Sequence, residues 1–301
     1  NMKNNIAVIG LGSMGYGIAT SCLRSGHLVW GVDTNIDQVK AFCSQGGQAT
    51  TLNSVIDKID VVVVVVLNSV QTEEVLFGQE GLVENLKPGT VVISCATVAP
   101  TFAIDMERRC KEFEIFYLDA PISGGALKAK NGQLSIMASG VKEAFQHARP
   151  TLDSISETVF ELGDEAGTGS AMKSVNQLLA GVHIAVMAEA LTFGISQGIS
   201  PDKFVEVISK CAGTSWMLEN RAPHIVNGDY KPHSSINIWP KDLGIVLDVA
   251  LESKFNAPIA TAALEQFRTA VDMGLGFEDD AAVAKVYAKS ANLSLPKKND
   301  V

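Results

Sequence analysis

Cysteine is sparse in this chain. Five occur in 301 residues, at Cys22, Cys43, Cys95, Cys110 and Cys211, and no two form a CxxC pair. Their odd number and wide spacing exclude a disulfide framework and a zinc ribbon, and fit reduced thiols in the cytoplasm. Positive charge is also short. Lys and Arg total 24 against 33 Asp and Glu, and the net charge of −9 leaves no basic field for nucleic acid. The pair Lys297-Lys298 reads as a solvated terminus. Long apolar runs are missing: the longest, Val61 to Leu67, is too short to span a bilayer, so no membrane partner is expected. The N-terminus has no signal-peptide core, and Asn1 ahead of Met2 reads as a tag remnant. The histidines (His27, His147, His183, His224, His233) never fall in an H-E-x-x-H spacing, so zinc-hydrolase chemistry lacks its motif. The G-x-S-x-G at Gly194–Gly198 falls at the end of a helical pattern with no strand before it, so the strand-to-helix nucleophile elbow of a serine hydrolase is missing.

What is present is apolar substance in an ordered pattern. The chain is 47% apolar and 19% charged, and its length suggests about two domains. Strand-like segments recur at Ile6–Ile9, Leu28–Val32, Val61–Leu67, Val91–Cys95, Ile115–Leu118, Ser135–Ala138 and Val159–Glu161. Helical periodicity lies between most of them, as at Met14–Ser25 and Ile36–Gln45. This alternation predicts an α/β fold with a doubly wound, Rossmann-type sheet over residues 1–166. The unbroken apolar run at 61–67 suits a central strand buried on both faces. From 167 to 301 no strand alternation remains. Helical patterns at 169–197, 201–212, 215–225, 241–253, 258–273 and 279–291 predict an all-helical second domain, with the long helix near 170–197 joining the two.

The most informative motif is Gly10-Leu11-Gly12-Ser13-Met14-Gly15. It sits between the first strand and the first helix, as a dinucleotide fingerprint requires. Gly10 permits the tight turn, Gly12 lets backbone approach a pyrophosphate, and Gly15 lets helix and strand pack closely. The helix N-terminus offers free N–H groups and the positive end of its dipole to phosphate. Asp33 closes the second strand, where a carboxylate accepts hydrogen bonds from ribose hydroxyls and repels a 2′-phosphate. Thr34 and Asn35 follow with no arginine, so NAD is favoured over NADP.

A second stretch runs from Gly167 to Gln177. At helical spacing Lys173, Asn176, Gln177 and Ala180 share one face, which can line an interdomain cleft. A lysine there can exchange a proton with a substrate hydroxyl while nicotinamide takes the hydride, and burial would favour its neutral form. On spacing alone, a solvated lysine is the commoner outcome. Asp119-Ala120-Pro121-Ile122-Ser123-Gly124-Gly125 follows a strand. Ser123 and its two glycines can present a hydroxyl and open N–H groups to a carboxylate, although an ordinary Pro/Gly turn has the same composition. Thr97 follows the fourth strand, where such sheets form their ligand crevice; as a lone threonine it equally suits a cap for the helix at Pro100.

Together these motifs resemble the β-hydroxyacid dehydrogenase family, the relatives of 3-hydroxyisobutyrate dehydrogenase. The resemblance spans essentially the whole chain: Gly10–Gly15, Asp119–Gly125, Gly169 through Lys173 to Asn176, and Lys241-Asp242-Leu243, in that order. It implies NAD-dependent oxidation of a small hydroxy acid, with Lys173 as the catalytic acid/base. It further implies that Ser123, Gly124, Gly125, Asn176 and Gln177 bind substrate. Gly10, Leu11, Gly12, Ser13, Met14, Gly15, Asp33, Thr34, Leu67, Thr97 and Lys241 are implied for the cofactor. Many members carry a second asparagine where this chain has Gln177. A homodimer or homotetramer built on the helical domain is implied as well. A narrower resemblance, over residues 177–185, 212–221 and 228–234, is to the family's sugar-acid dehydrogenases; there Trp216, Asn220 and His233 are candidates for shaping the pocket. Rivals are a semialdehyde reductase such as tartronate semialdehyde reductase, an imine reductase (members that usually lack the lysine matching Lys173), and a non-catalytic NAD-binding sensor or scaffold, against which the intact Lys173 motif argues.

Overall fold

The computed structural model describes residues 3–298, so Asn1, and with it the tag-remnant reading, lies outside the described residues. The chain divides into two compact units, Asn1–Lys173 and Ser174–Val301. The first unit opens with β1 (Asn5–Ile9), α1 (Ser13–Arg24), β2 (Leu28–Val32), α2 (Ile36–Ser44), β3 (Val61–Val64), α3 (Ser69–Phe77), β4 (Val91–Ser94), α4 (Pro100–Lys111) and β5 (Phe116–Asp119). The five strands form one parallel sheet in the order β2-β1-β3-β4-β5. Strand β3 is four consecutive valines, all fully buried. Alternate side chains of a strand point to opposite faces. Accordingly Val61 and Val63 pack with Ile18, Cys22, Ala148 and Leu152 of the helices on one side. Val62 and Val64 pack with Leu76, Ala103 and Met106 on the other. Helices thus cover both faces, as a doubly wound sheet requires.

The valine strand ends sooner than its apolar run. The Val65 N–H still donates a backbone bond to the Ile9 carbonyl at 2.8 Å. The chain then turns out of the sheet beneath Gly10, and Leu67 is largely exposed. Exit at the carboxyl ends of the strands outweighs the local β propensity of Val65 and Val66.

After β5 come β6 (Ile122–Ser123), α5 (Gly125–Asn131), β7 (Leu134–Ala138), α6 (Lys142–Ile155) and β8 (Ser156–Glu161). These strands form a small sheet, β6-β7-β8, with β6 antiparallel and β8 parallel to β7. Helix α5 lies against α1 at Gly17, where a Cβ would stand 2.7 Å from the Lys130 nitrogen. Ser21 Oγ bonds the carbonyls of Ala129 and Lys130, both at 2.9 Å.

The long helix α7 (Thr168–Ser196) carries the boundary between the units. By length and composition it is apolar enough to cross a membrane. In the second unit, however, its Ile184, Met187, Ala188 and Leu191 are buried in a shared core with Leu264 and Phe267, which is the behaviour of a core helix. That unit continues with α8 (Pro201–Ile208), α9 (Trp216–Val226), α10 (Ile238–Glu252), α11 (Pro258–Asp272) and α12 (Ala284–Ser290). The helical pattern at 279–291 is broken into a 3-10 turn, Asp280–Val283, before α12. Two buried carboxylates account for the break. Asp279 caps the turn through the Ala281 N–H and also accepts from His224 Nδ1 at 2.8 Å and from the His233 N–H at 3.1 Å. Asp280 is held by Arg221 Nε at 2.7 Å and Trp239 Nε1 at 3.0 Å.

Burial alone would raise the Asp279 carboxyl, but the His224 bond and the N–H groups of His233 and Ala281 outweigh it and hold the group below the ordinary carboxylate range. A folded value below the unfolded one means the ionised form favours folding. That contribution is complete above the unfolded aspartate range, about pH 3.9, and is lost as pH falls through the folded value. Asp279→Asn is therefore expected to lower the urea midpoint at neutral pH, with the gap to wild type shrinking below about pH 4. A gap constant from pH 7 to pH 3 would contradict this sign.

Candidate active site

The glycine turn is built as a cradle. Gly10 has φ +98°, and a Cβ there would stand 2.1 Å from the Val65 carbonyl oxygen. A Cβ on Gly15 would stand 1.8 Å from the Gly10 oxygen. These two positions admit only glycine because backbone meets backbone. Gly12 is different: a Cβ would meet nothing within 4 Å, so the protein leaves open space at the start of α1. The helix has no side-chain cap and no acid in its first turn. Its N–H groups are thus available to an anion.

Asp33 borders the same turn. Its Oδ2 accepts the Leu11 N–H at 2.6 Å and its Oδ1 accepts the Asn35 N–H at 2.7 Å. Each carboxylate oxygen has a second lone pair, so the group is locked in place with acceptor capacity remaining. Thr34 is exposed. Leu67 holds its N–H on Gln71 Oε1 at 2.8 Å. Thr97 does not cap α4, whose N-cap is Ala99 with no side-chain bond.

The Asp119–Gly125 segment binds the start of α7. Asp119, nearly fully buried, accepts three bonds: Gly167 N–H at 3.0 Å, Ser170 N–H at 2.8 Å and Ser170 Oγ at 2.6 Å. Burial pushes its carboxyl up, and these bonds offset that only in part. Gly169 packs against the same strands. A Cβ there would stand 2.5 Å from the carbonyl oxygens of both Asp119 and Met137, and its N–H donates to Ser139 Oγ at 2.9 Å. One turn further along α7, Lys173 is 8% exposed and its Nζ donates to the Ile122 carbonyl at 2.8 Å. An amine is therefore fixed on the peptide that leads into Ser123. Gly124 (φ +135°) and Gly125 (φ +78°) then turn the chain into α5.

In the second unit, three of the candidate residues form one chain. Asn176 Nδ2 donates to Gln177 Oε1 at 2.9 Å, and Gln177 Nε2 donates to Asp242 Oδ2 at 2.7 Å. Lys241 Nζ lies 3.0 Å from Asp242 Oδ1, an ion pair whose angles are not those of a directed hydrogen bond. Gln177 and Asp242 are buried, whereas Asn176 and Lys241 retain exposure. Trp216 and Asn220 are exposed on α9. His233 is exposed and stacks on His224, ring centroids 5.3 Å apart.

Two residues central to this geometry carry no legible role in the sequence. Asp119 stands inside a motif, and its position directly after an apolar strand was the available signal for an anchoring carboxylate. Asp242 is paired with a glutamine 65 positions away in sequence, for which no local signal exists. The burial of Cys22, Cys95 and Cys110 pushes each thiol up to about 12, so none is a nucleophile.

A parallel sheet ending in an open glycine cradle, with a fixed acid beside it and a buried amine on a neighbouring carbonyl, defines a dinucleotide-dependent dehydrogenase. Residues 5–163 match the NAD binding domain of 6-phosphogluconate dehydrogenase. Residues 167–287 match the NAD-binding domain of NADP-dependent 3-hydroxyisobutyrate dehydrogenase. The L-threonate dehydrogenase of Cupriavidus necator is 46% identical, over 95% of this chain and 97% of that one. That of Escherichia coli K12 is 42% identical, over 94% and 95%. The crystal structure of a 3-hydroxyisobutyrate dehydrogenase from Salmonella typhimurium superposes with a TM-score of 0.89 at 40% identity, covering 94% of this chain and all of that one. The chain belongs to the β-hydroxyacid dehydrogenase family, that of 3-hydroxyisobutyrate dehydrogenase, and is an NAD-dependent oxidoreductase acting on CH–OH.

Proposed function

We propose that this enzyme oxidises L-threonate to 2-dehydro-L-erythronate. The observation that carries the chemistry is the buried Lys173 amine fixed on the Ile122 carbonyl, beside Ser123. The substrate choice rests on the likeness to L-threonate dehydrogenases over nearly the whole chain. Ser123, Gly124 and Gly125 receive the carboxylate through a hydroxyl and unobstructed N–H groups. Lys173 takes the proton of the C2 hydroxyl as general base. Asn176 holds that hydroxyl, and Gln177 sets the orientation of Asn176. NAD, when bound, supplies the acceptor for the C2 hydride.

The cradle at Gly10–Gly15 suits that cofactor: Gly12 leaves room for a pyrophosphate, and α1 offers uncapped N–H groups. Gly10, Leu11, Gly12, Ser13, Met14 and Gly15 hold the phosphates. Asp33 holds the ribose hydroxyls, with Thr34 beside it, and Leu67, Thr97 and Lys241 complete the cofactor contacts. We place the domain boundary at residue 166, after the last strand, with the first residues of α7, up to Lys173, belonging to the compact unit of the sheet. The reduced thiols suit a cytoplasmic enzyme. Val175, Leu179, Val186 and Phe193, all exposed at helical spacing on α7, suit coverage by a second copy of the chain in a homodimer or homotetramer.

Initial rates of NADH formation with L-threonate, D-glycerate and 3-hydroxyisobutyrate test the substrate. Preference for L-threonate supports the proposal; preference for 3-hydroxyisobutyrate moves the oxidised carbon to C3 and favours a 3-hydroxyisobutyrate dehydrogenase-type activity instead. Asp33→Ala is expected to reduce the NAD-over-NADP preference in kcat/KM by about tenfold, roughly 1.4 kcal/mol. An unchanged ratio would remove Asp33 from coenzyme choice.

A further inference from the structure

Asn176 and Lys241 stand at the two ends of a polar chain in the second unit, made of two hydrogen bonds and one ion pair. Between them lie only Gln177 and Asp242, both shut off from solvent, at 8% and 3% exposure. The links are short: 2.9 Å from Asn176 to Gln177, 2.7 Å from Gln177 to Asp242 and 3.0 Å from Asp242 to Lys241. Such a chain has few alternatives. The Gln177 amide uses its oxygen on one neighbour and its nitrogen on the other, so turning it over would break both bonds at once. Asp242 has one oxygen on an amide and the other on an ammonium, and a buried carboxylate that loses one partner leans harder on the other.

We infer that the Gln177–Asp242 pair is a bridge that couples coenzyme affinity to hydroxy-acid affinity, by fixing Lys241 and Asn176 through one shared carboxylate. The inference rests on the assignment above of Asn176 to the acid and Lys241 to the cofactor. Gln177 and Asp242 are positioning residues. With the Gln177 amide removed, Asp242 Oδ2 loses its donor and the carboxylate binds the Lys241 ammonium harder, which weakens the coenzyme contact assigned to Lys241. With Asp242 made neutral, an asparagine offers both donor and acceptor, so the Gln177 amide loses its fixed sense and Asn176 its fixed direction.

The mark of a bridge is an effect that appears at the far end. Gln177→Met keeps the length of the side chain and removes its polar atoms. It is expected to raise the NAD dissociation constant about three- to tenfold, read from intrinsic-fluorescence titration with no acid present, although Gln177 is assigned no cofactor contact. Asp242→Asn is expected to raise the KM for L-threonate at least threefold at saturating NAD, with kcat changed less. A purely structural role would lower the unfolding midpoint and leave both constants alone. An NAD dissociation constant within twofold of wild type in folded Gln177→Met overturns the bridge. Should Gln177→Met not fold, Gln177→Asn, one methylene shorter, withdraws the amide from Asp242 and is read the same way. The coenzyme titration involves no acid. Wild-type protein that binds NAD but ignores L-threonate would overturn the substrate proposal alone, while the titration still decides the bridge.

Discussion

Replacing Lys173 with methionine lowers kcat by about a hundredfold or more, the scale on which loss of a positioned proton acceptor is felt, and leaves NAD binding nearly unchanged. Methionine preserves the volume and reach of the side chain, so α7 keeps its packing. What disappears is the amine that donates to the Ile122 carbonyl at 2.8 Å and that takes the hydroxyl proton in the proposed reaction. An interaction made only in the transition state lowers kcat and kcat/KM together. Equal falls in both, with NAD affinity within about twofold, are the expected pattern. Near-normal turnover would dismiss Lys173 as the base. A large rise in KM at constant kcat would make it a binding residue.

The second large effect is expected at Asp119, which touches no ligand in the proposed mechanism. Asp119→Ala removes the acceptor of the Gly167 N–H, the Ser170 N–H and the Ser170 hydroxyl. Hydrogen bonds to a charged group are worth about 1.5–3 kcal/mol each, and buried donors left unpaired cost a similar amount. The ionised carboxylate is itself penalised by burial, as its raised pKa records, and its removal returns part of the loss. A net destabilisation of roughly 3 kcal/mol follows. Activity falls further than stability explains, because Lys173 stands one turn beyond Ser170 on α7 and is aimed by that anchor. The check is twofold: a urea midpoint, and kcat measured where the variant is still fully folded. A variant with the full stability loss but wild-type kcat would separate Asp119 from the placement of Lys173.

The fold was legible where residues act locally. Four consecutive valines with both faces buried, a glycine turn with helical periodicity beyond it, and Pro at the first position of α8 and α11 each specify their element within a few positions. The pattern misled where a tertiary contact wins. Val65 to Leu67 continue an apolar run but leave the sheet beneath Gly10, and the periodic stretch at 279–291 is broken because Asp279 and Asp280 bond to α9 and α10. The site divides in the same way. Gly10, Gly12, Gly15 and Asp33 could be named from spacing because their work is done within one β-α-β unit. Lys173 could not be separated from a solvated lysine by spacing, since its burial depends on Asp119 and Ile122, about fifty positions earlier. The family resemblance singled it out, and the structure supplies the physical reason: Gly169 has no Cβ because the carbonyls of Asp119 and Met137 lie where one would be. The partner of Gln177 was not legible at all, because a hydrogen bond between α7 and α10 leaves no periodic trace in either helix.

In the proposed reaction the C2 hydrogen of L-threonate passes to NAD. This is measured with L-threonate carrying deuterium at C2 and mass spectrometry of the reduced coenzyme. The label is expected in the coenzyme, with slower turnover than for unlabelled acid if hydride transfer limits the rate. Reduced coenzyme free of deuterium would mean that another carbon is oxidised, and no reduction at all would mean that L-threonate is not the substrate.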